Sequence, residues 1–260
     1  MLESFECAPF THAGVTRPVF RAGRGPGIVV MHEIPGIYSA VAEFAERLVE
    51  AGFRVALPEL FGETGRPFSG GYAAGELLRA CVRREFAVLA ADRSSPITDW
   101  LRALCRDLHQ ESGGVGVGAI GMCLTGNFAL ALMLEPAVRA PVLSQPSLPF
   151  PVGRRRRRGL HVSEDELAVI RERVSCEGEK VLGLRFTQDP MVPAERFERL
   201  REELGSGFEA IEIDSSPGNA HGLSASAHSV VTKDLVDEAG HPTRIALDRV
   251  LGFFRERLRP

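Results

Sequence analysis

No run of apolar residues in this 260-residue chain approaches the ~18 to 20 that a membrane-spanning helix needs. A large positive excess is missing too: 31 lysines and arginines stand against 34 aspartates and glutamates, for a formal net charge of −3. A general nucleic-acid or membrane-surface binder draws its affinity from such an excess, so neither partner is expected. Cysteine is scarce and unpatterned. The five cysteines, at positions 7, 81, 105, 123 and 176, are odd in number, irregular in spacing and never in a CxxC arrangement. That fits reduced thiols in a cytoplasm better than a disulfide framework. The opening residues MLESFECAPF carry an early acid and no apolar run of signal-peptide length, which also points to a cytoplasmic protein. No Cys/His cluster has zinc spacing, and His32-Glu33 lacks the second histidine of HExxH. No metal or other cofactor is therefore expected.

What is present is ordinary globular material. Hydrophobic residues make up 44% and charged residues 25%, which removes disordered, collagen-like and coiled-coil readings. The length is near the upper end for one domain, so residues 1–260 are expected to form a single domain. Short apolar runs alternate with helical patterns. Residues 27–33 (GIVVMHE), 54–57, 116–122, 141–144, 181–187 and 210–214 read as strands. Helices are expected over 38–51, closed by Gly52, and over 76–91, 97–109, 127–134, 194–204 and 242–258. Such alternation predicts an α/β fold: a mostly parallel central sheet with helices on both faces. Ligands bind such sheets outside the carboxyl ends of the strands, so the residues just after strands are the ones to inspect.

One segment stands apart, a Pro/Arg-rich insert at about 146–178. It contains five consecutive arginines, Arg154–Arg158, followed by a capping box from Ser163 to Glu166 that opens a helix to about Val174. The arginine run could bind an anion or RNA, but like charges at that density repel and extend, which favours a solvated loop. The insert is long enough to cap a cleft, with Leu160, Leu167, Val169 and Ile170 as its apolar underside.

The strand-end that carries most chemistry is Gly121-Met122-Cys123-Leu124-Thr125-Gly126. A nucleophile on a sharp strand-to-helix turn projects into the cleft, and the crowding there demands small flanking residues. The helix that follows aims its unpaired N–H groups at the same spot, and their positive potential favours a thiolate. Cys123 is thus the candidate nucleophile, and the other four cysteines lack such flanks.

The chain resembles the dienelactone hydrolase family, α/β-hydrolases with a Cys-His-Asp triad. The similarity rests on MHEIPG (31–36), ALPELFG (56–62), GMCLTG (121–126), TQDPMVP (187–193) and the AHG at 220–222, five elements in family order, each near a strand end. The elbow departs in having Thr125 where the family often has glycine. The resemblance implies an α/β-hydrolase fold and Asp189 as the group that orients the base. For the base itself, His221, His228 and His241 all follow Asp189 in the chain. His221 sits where the family places its histidine, with His228 in reserve. Glu33 is implied to contact the thiol and help gate its ionisation; Glu59, which also ends a strand, is assigned only a loop-holding role. The fold implies an oxyanion hole made by the N–H groups of Leu124 and Ile34. The reaction implied is hydrolysis of a small-molecule carboxylic ester or lactone through a thiol ester, by a monomer or homodimer. Substrate-binding residues stay open. Relatives that cleave dienelactone hold its carboxylate with arginine, including one shortly after the histidine. None follows His221 here, which leaves Arg79, Arg83 and Arg84. The rivals are a thioesterase or acyl transferase with the same triad, a non-catalytic binding protein of the same fold, and a polyanion-binding module built on Arg154–Arg158.

Overall fold

Strands buried on both sides account for the unbroken apolar runs in the sequence. A computed structural model describes residues 2–82, 86, 90 and 92–259. Glu6–His12 (β1) and Val15–Ala22 (β2) form an antiparallel hairpin at one edge. Six parallel strands follow: Gly27–Met31 (β3), Arg54–Pro58 (β4), Val117–Met122 (β5), Val138–Ser144 (β6), Val181–Phe186 (β7) and Phe208–Ile213 (β8). The sheet order is β1-β2-β4-β3-β5-β6-β7-β8. In β3, Ile28 and Val30 point to one face, Val29 and Met31 to the other, the alternation a strand imposes.

Ser39–Glu50 (α1) and Pro242–Leu258 (α8) cover the first face. The second carries Gly70–Val82 (α2), Ile97–Ser112 (α3), Phe128–Ala131 (α4), the short Gly153–Arg157 (α5), Glu164–Cys176 (α6) and Ala194–Leu204 (α7). The expected α/β architecture is therefore present. The hairpin was not legible. Its strands are half-exposed and carry Pro9 and Pro18, which face each other in register, and proline argues against strand except at an edge. The helix expected at 76–91 begins earlier, at Gly70, despite three glycines in its first six residues. Most of its far end, including Arg83 and Arg84, lies outside the described residues.

The topology locates the cleft. From β3 the chain winds outward to β4, then crosses back to β5 on the other side of β3 and continues outward through β6, β7 and β8. The carboxyl ends of β3 and β5 thus flank the point where the winding direction reverses, the place where open α/β sheets bind ligands.

The insert is built into this body. The capping box forms: Ser163 Oγ accepts from the Glu166 N–H at 3.1 Å, and Glu166 Oε2 accepts from the Ser163 N–H at 2.7 Å. Leu148, Leu160, Val162, Leu167 and Ile170 are buried in the core of the second face, whereas Val169 faces solvent. The arginine run is helical rather than extended, and neighbouring acids explain why: Arg155 pairs with Asp92, Arg157 with Glu195 and Arg158 with Glu202. A second arginine fixes the path of the whole segment. Arg196 on α7 is fully buried and donates to the carbonyls of Pro146, Pro149, Arg156 and Gly159. Burial pulls its pKa below the usual arginine range, but four carbonyl dipoles suit the five-donor guanidinium fork. Four such bonds tie the insert to α7. Replacing Arg196 with Met should leave these carbonyls unpartnered, at about 1–3 kcal/mol for each that water cannot reach. Thermal unfolding should show a drop in Tm of roughly 5–10 °C, while Arg155→Ala at the exposed pair should change it little.

Candidate active site

At the end of β5 the backbone turns abruptly. Cys123 adopts φ +54°, a left-handed conformation that is uncommon for a residue with a Cβ, and opens a three-residue 3₁₀ turn that runs to Thr125. Its flanking glycines are steric necessities. A Cβ on Gly121 would overlap the Thr125 carbonyl, and one on Gly126 would overlap the backbone of Pro146. Thr125 serves the turn through its hydroxyl. Oγ1 accepts from the Met122 N–H at 2.9 Å and lies 2.8 Å from the Met31 carbonyl, tying the elbow to the neighbouring end of β3. The loop after β6 closes the other side. The Ser147 N–H donates to the Cys123 carbonyl at 2.9 Å, and the Ser147 hydroxyl stands 3.7 Å from Sγ.

Asp189 lies in the loop after β7 and is buried. Arg185 braces that loop from beneath, donating to the carbonyls of Thr187 and Val192 at 3.0 and 2.9 Å. One carboxylate oxygen of Asp189 accepts from the Met191 N–H at 2.9 Å; the other lies 2.6 Å from Nδ1 of His228. A quarter of the His228 side chain meets solvent, at 24% exposure, but its Nε2 is buried and makes no full hydrogen bond among the described residues. The Cys123 sulfur also acts on that ring electrostatically. Burial opposes a charged imidazole, yet the Cys123 charge and the Asp189 hydrogen bond outweigh it and hold the His228 pKa well above the ordinary histidine range.

The structure therefore pairs Asp189 with His228, not with His221, and the Cys123 sulfur acts on the same ring. His221 is exposed in a turn organised by Asn219, whose side-chain oxygen accepts from the N–H groups of His221 and Leu223 at 3.1 and 3.0 Å. The His221 ring lies against that of His241, with centroids 5.4 Å apart. The sequence contains Ala-His twice, at 220–221 and 227–228. A signal was available in Asp234, whose carboxylate accepts from the N–H groups of both His228 and Ser229 at 2.8 Å. An acid six residues after a histidine, closing its own turn, marks a loop built to hold that ring.

Glu33 is buried just after β3, beside the elbow, but its contacts differ from those expected. Oε1 accepts from Tyr38 Oη at 2.5 Å and from the Thr232 hydroxyl, and Oε2 from Ser229 Oγ at 2.7 Å and Gln145 Nε2 at 3.0 Å. No hydrogen bond joins it to the thiol. His32 fixes the same strand end: Nε2 accepts from the Leu60 N–H at 3.0 Å, so Nδ1 carries the proton toward the Glu33 carbonyl at 3.1 Å. Burial lowers its pKa to about 4 and keeps it neutral. Glu59 takes the loop-holding part expected of it, accepting from the Thr64 hydroxyl. Leu124 is the second residue of the 3₁₀ turn, where N–H groups have no partner within the turn, and the Ile34 N–H has no acceptor among the described residues. Arg79 points to the surface and pairs with Glu76.

The profile of the dienelactone hydrolase family matches residues 12–258. The chain belongs to the dienelactone hydrolase family. Membership makes it a hydrolase acting on small molecules. No curated protein matches the sequence. Among solved structures, a dienelactone hydrolase-like promiscuous phosphotriesterase from metagenomic libraries is 17% identical, with a TM-score of 0.63 over 98% of each chain. The dienelactone hydrolase of Anabaena variabilis ATCC 29413 is 14% identical, with a TM-score of 0.61 over 98% of each chain. A thioesterase domain from the curacin biosynthetic pathway is 10% identical, with a TM-score of 0.56 over 96% of this chain and 100% of that one. At these identities the likeness is one of fold. Among the described residues no helix is long and apolar enough to cross a membrane.

The raised pKa of His228 gives a prediction with a definite sign. Cys123→Ser removes the sulfur charge that favours the imidazolium, while burial still opposes it. The His228 ring should then titrate at lower pH than in the parent, as read from its ring-proton chemical shifts across a pH series. An unchanged titration would show that the sulfur carries no charge facing the ring.

Proposed function

We propose that the protein is a carboxylic ester hydrolase that cleaves a small-molecule ester or lactone, with Cys123 as nucleophile, His228 as base and Asp189 as the group that orients it. The observation that carries this reading is the line from Asp189 through His228 to Cys123. Nδ1 lies 2.6 Å from a buried carboxylate, Nε2 is buried with no hydrogen-bond partner among the described residues, and the sulfur of the left-handed elbow residue acts electrostatically on the ring. Those are the relations a nucleophile, a base and an orienting acid require.

The chemistry follows from these positions. The Cys123 thiolate attacks the ester carbonyl, and the C–O π pair moves onto oxygen. The N–H groups of Leu124 and Ile34 lie on the loops best placed to receive that oxyanion. Collapse expels the alkoxide, or opens the lactone ring, and the leaving oxygen takes the proton from the His228 imidazolium. A water then gives its proton to Nε2 and attacks the thiol ester, and the C–S bond breaks to return thiolate and free acid. Asp189 keeps Nδ1 protonated throughout, so that Nε2 is the nitrogen that exchanges protons. A thiolate is a good leaving group, so the reaction favours substrates whose alcohol leaves readily, such as activated or enol esters. The reduced sulfur it needs suits a cytoplasmic setting.

With p-nitrophenyl acetate the enzyme should release a burst of nitrophenolate and accumulate an acetyl group on Cys123, detectable by mass spectrometry. Iodoacetamide should abolish turnover by alkylating Cys123 ahead of Cys7, Cys81, Cys105 and Cys176. His228→Ala should lower the chemical rate by on the order of 10²–10⁴, whereas His221→Ala should leave it near the parent. The reverse ranking of the two histidine variants would overturn the assignment.

A further inference from the structure

An ionised carboxylate offers about four lone-pair positions, two on each oxygen. In Glu33 all four are taken: Tyr38 and Thr232 donate to one oxygen, Ser229 and Gln145 to the other. The carboxylate and its four partners are all buried. Burial and the neighbouring carboxylate push the Tyr38 phenol up, out of reach of physiological titration, so this donor is permanent. A thiol seeking to hand its proton to Glu33 finds no free acceptor position.

Two of the four donors belong to the loop that carries the base. Ser229 adjoins His228, and Thr232 lies one short turn further on. They reach across 196 and 199 residues of sequence to the end of β3. Gln145 makes the connection twice: its amide donates to Glu33 Oε2, while its carbonyl oxygen accepts from the Val230 N–H at 3.3 Å and from the Ser144 hydroxyl. Asp234 holds the loop from within, and among the described residues Glu33 and Gln145 are what hydrogen-bond it to the strand ends beside Cys123. We infer that Glu33, with Gln145, is a positioning residue that acts on the reaction through the His228 loop, by way of Ser229 and Thr232, and not on the Cys123 thiol.

This inference rests on His228 being the base, and a double-mutant cycle separates the two. The parent, Glu33→Gln, Ser229→Ala/Thr232→Val and the triple variant would each be assayed with p-nitrophenyl acetate, with the His228 ring titrated by NMR in each. Glu33→Gln and Ser229→Ala/Thr232→Val should each lower kcat by roughly ten- to a hundredfold, with KM little changed and the His228 titration moved. The triple variant should be hardly worse than the poorer of its parents, because both remove one connection. Thr232→Ser, which keeps the hydroxyl, should restore the part of the loss due to that position. Multiplying losses, or full kcat in Ser229→Ala/Thr232→Val, would overturn the inference and return Glu33 to direct action at the sulfur. Should Glu33→Gln fail to fold, the Thr232→Val and Thr232→Ser pair still decides whether the loop bond matters to kcat. Full activity in His228→Ala would instead reject the assignment of the base itself.

Discussion

The chain turns from β5 into the 3₁₀ turn that follows at a single residue, Cys123, which holds a positive φ. A non-glycine residue held there costs of order 1–3 kcal/mol and persists only where its surroundings over-determine it. The surroundings do so from three directions. Thr125 ties the turn to the end of β3, Ser147 reaches the Cys123 carbonyl from the end of β6, and Gly121 and Gly126 clear the space through which the backbone passes. Threonine at 125 is therefore more than a tolerated departure from the glycine common in the family. Its hydroxyl supplies a cross-link between two strand ends that glycine could not make.

Around that turn, three buried charges are met mainly by neutral dipoles. Arg185 grips carbonyls on both sides of Asp189 and also reaches Glu212, Arg196 grips four carbonyls of the insert, and Glu33 collects three hydroxyls and an amide. Each charge sits on or at the end of a regular element and reaches into irregular chain. The pattern has a physical logic. Loops at the carboxyl ends of strands cannot satisfy their own backbone groups as helices do, and a buried charge with several short-range donors or acceptors holds a loop more firmly than packing alone. The loop of Asp189, the loop of His228 and the insert thus each receive a separate brace.

How much of this could be read from the sequence depends on the range of the interactions involved. The parallel strands, the helices and the capping box at Ser163 are set by neighbours a few residues away, and their patterns were visible. Cys123 and Asp189 stood out as candidates because each follows a strand in a tightly constrained turn. His228 was not. From Asp214 to His241 the chain has no helix or strand, and the Ala-His pair occurs twice within it. The choice between the two is made by bonds to Asp189 and Glu33, 39 or more residues away. The contacts of Glu33 were hidden for the same reason. The arginine run was misread as extended because the acids that neutralise it, Asp92, Glu195 and Glu202, come from distant segments.

The clamp made by Arg196 recognises only main-chain carbonyl oxygens, at Pro146, Pro149, Arg156 and Gly159. It is blind to most of the side chains hung on the stretch it holds. The course of the insert can therefore be preserved while exposed positions such as Val152 drift, provided the arginine stays and the four carbonyls keep their spacing. A lineage, or an engineer, could transplant the segment to a relative only by carrying the arginine of α7 with it.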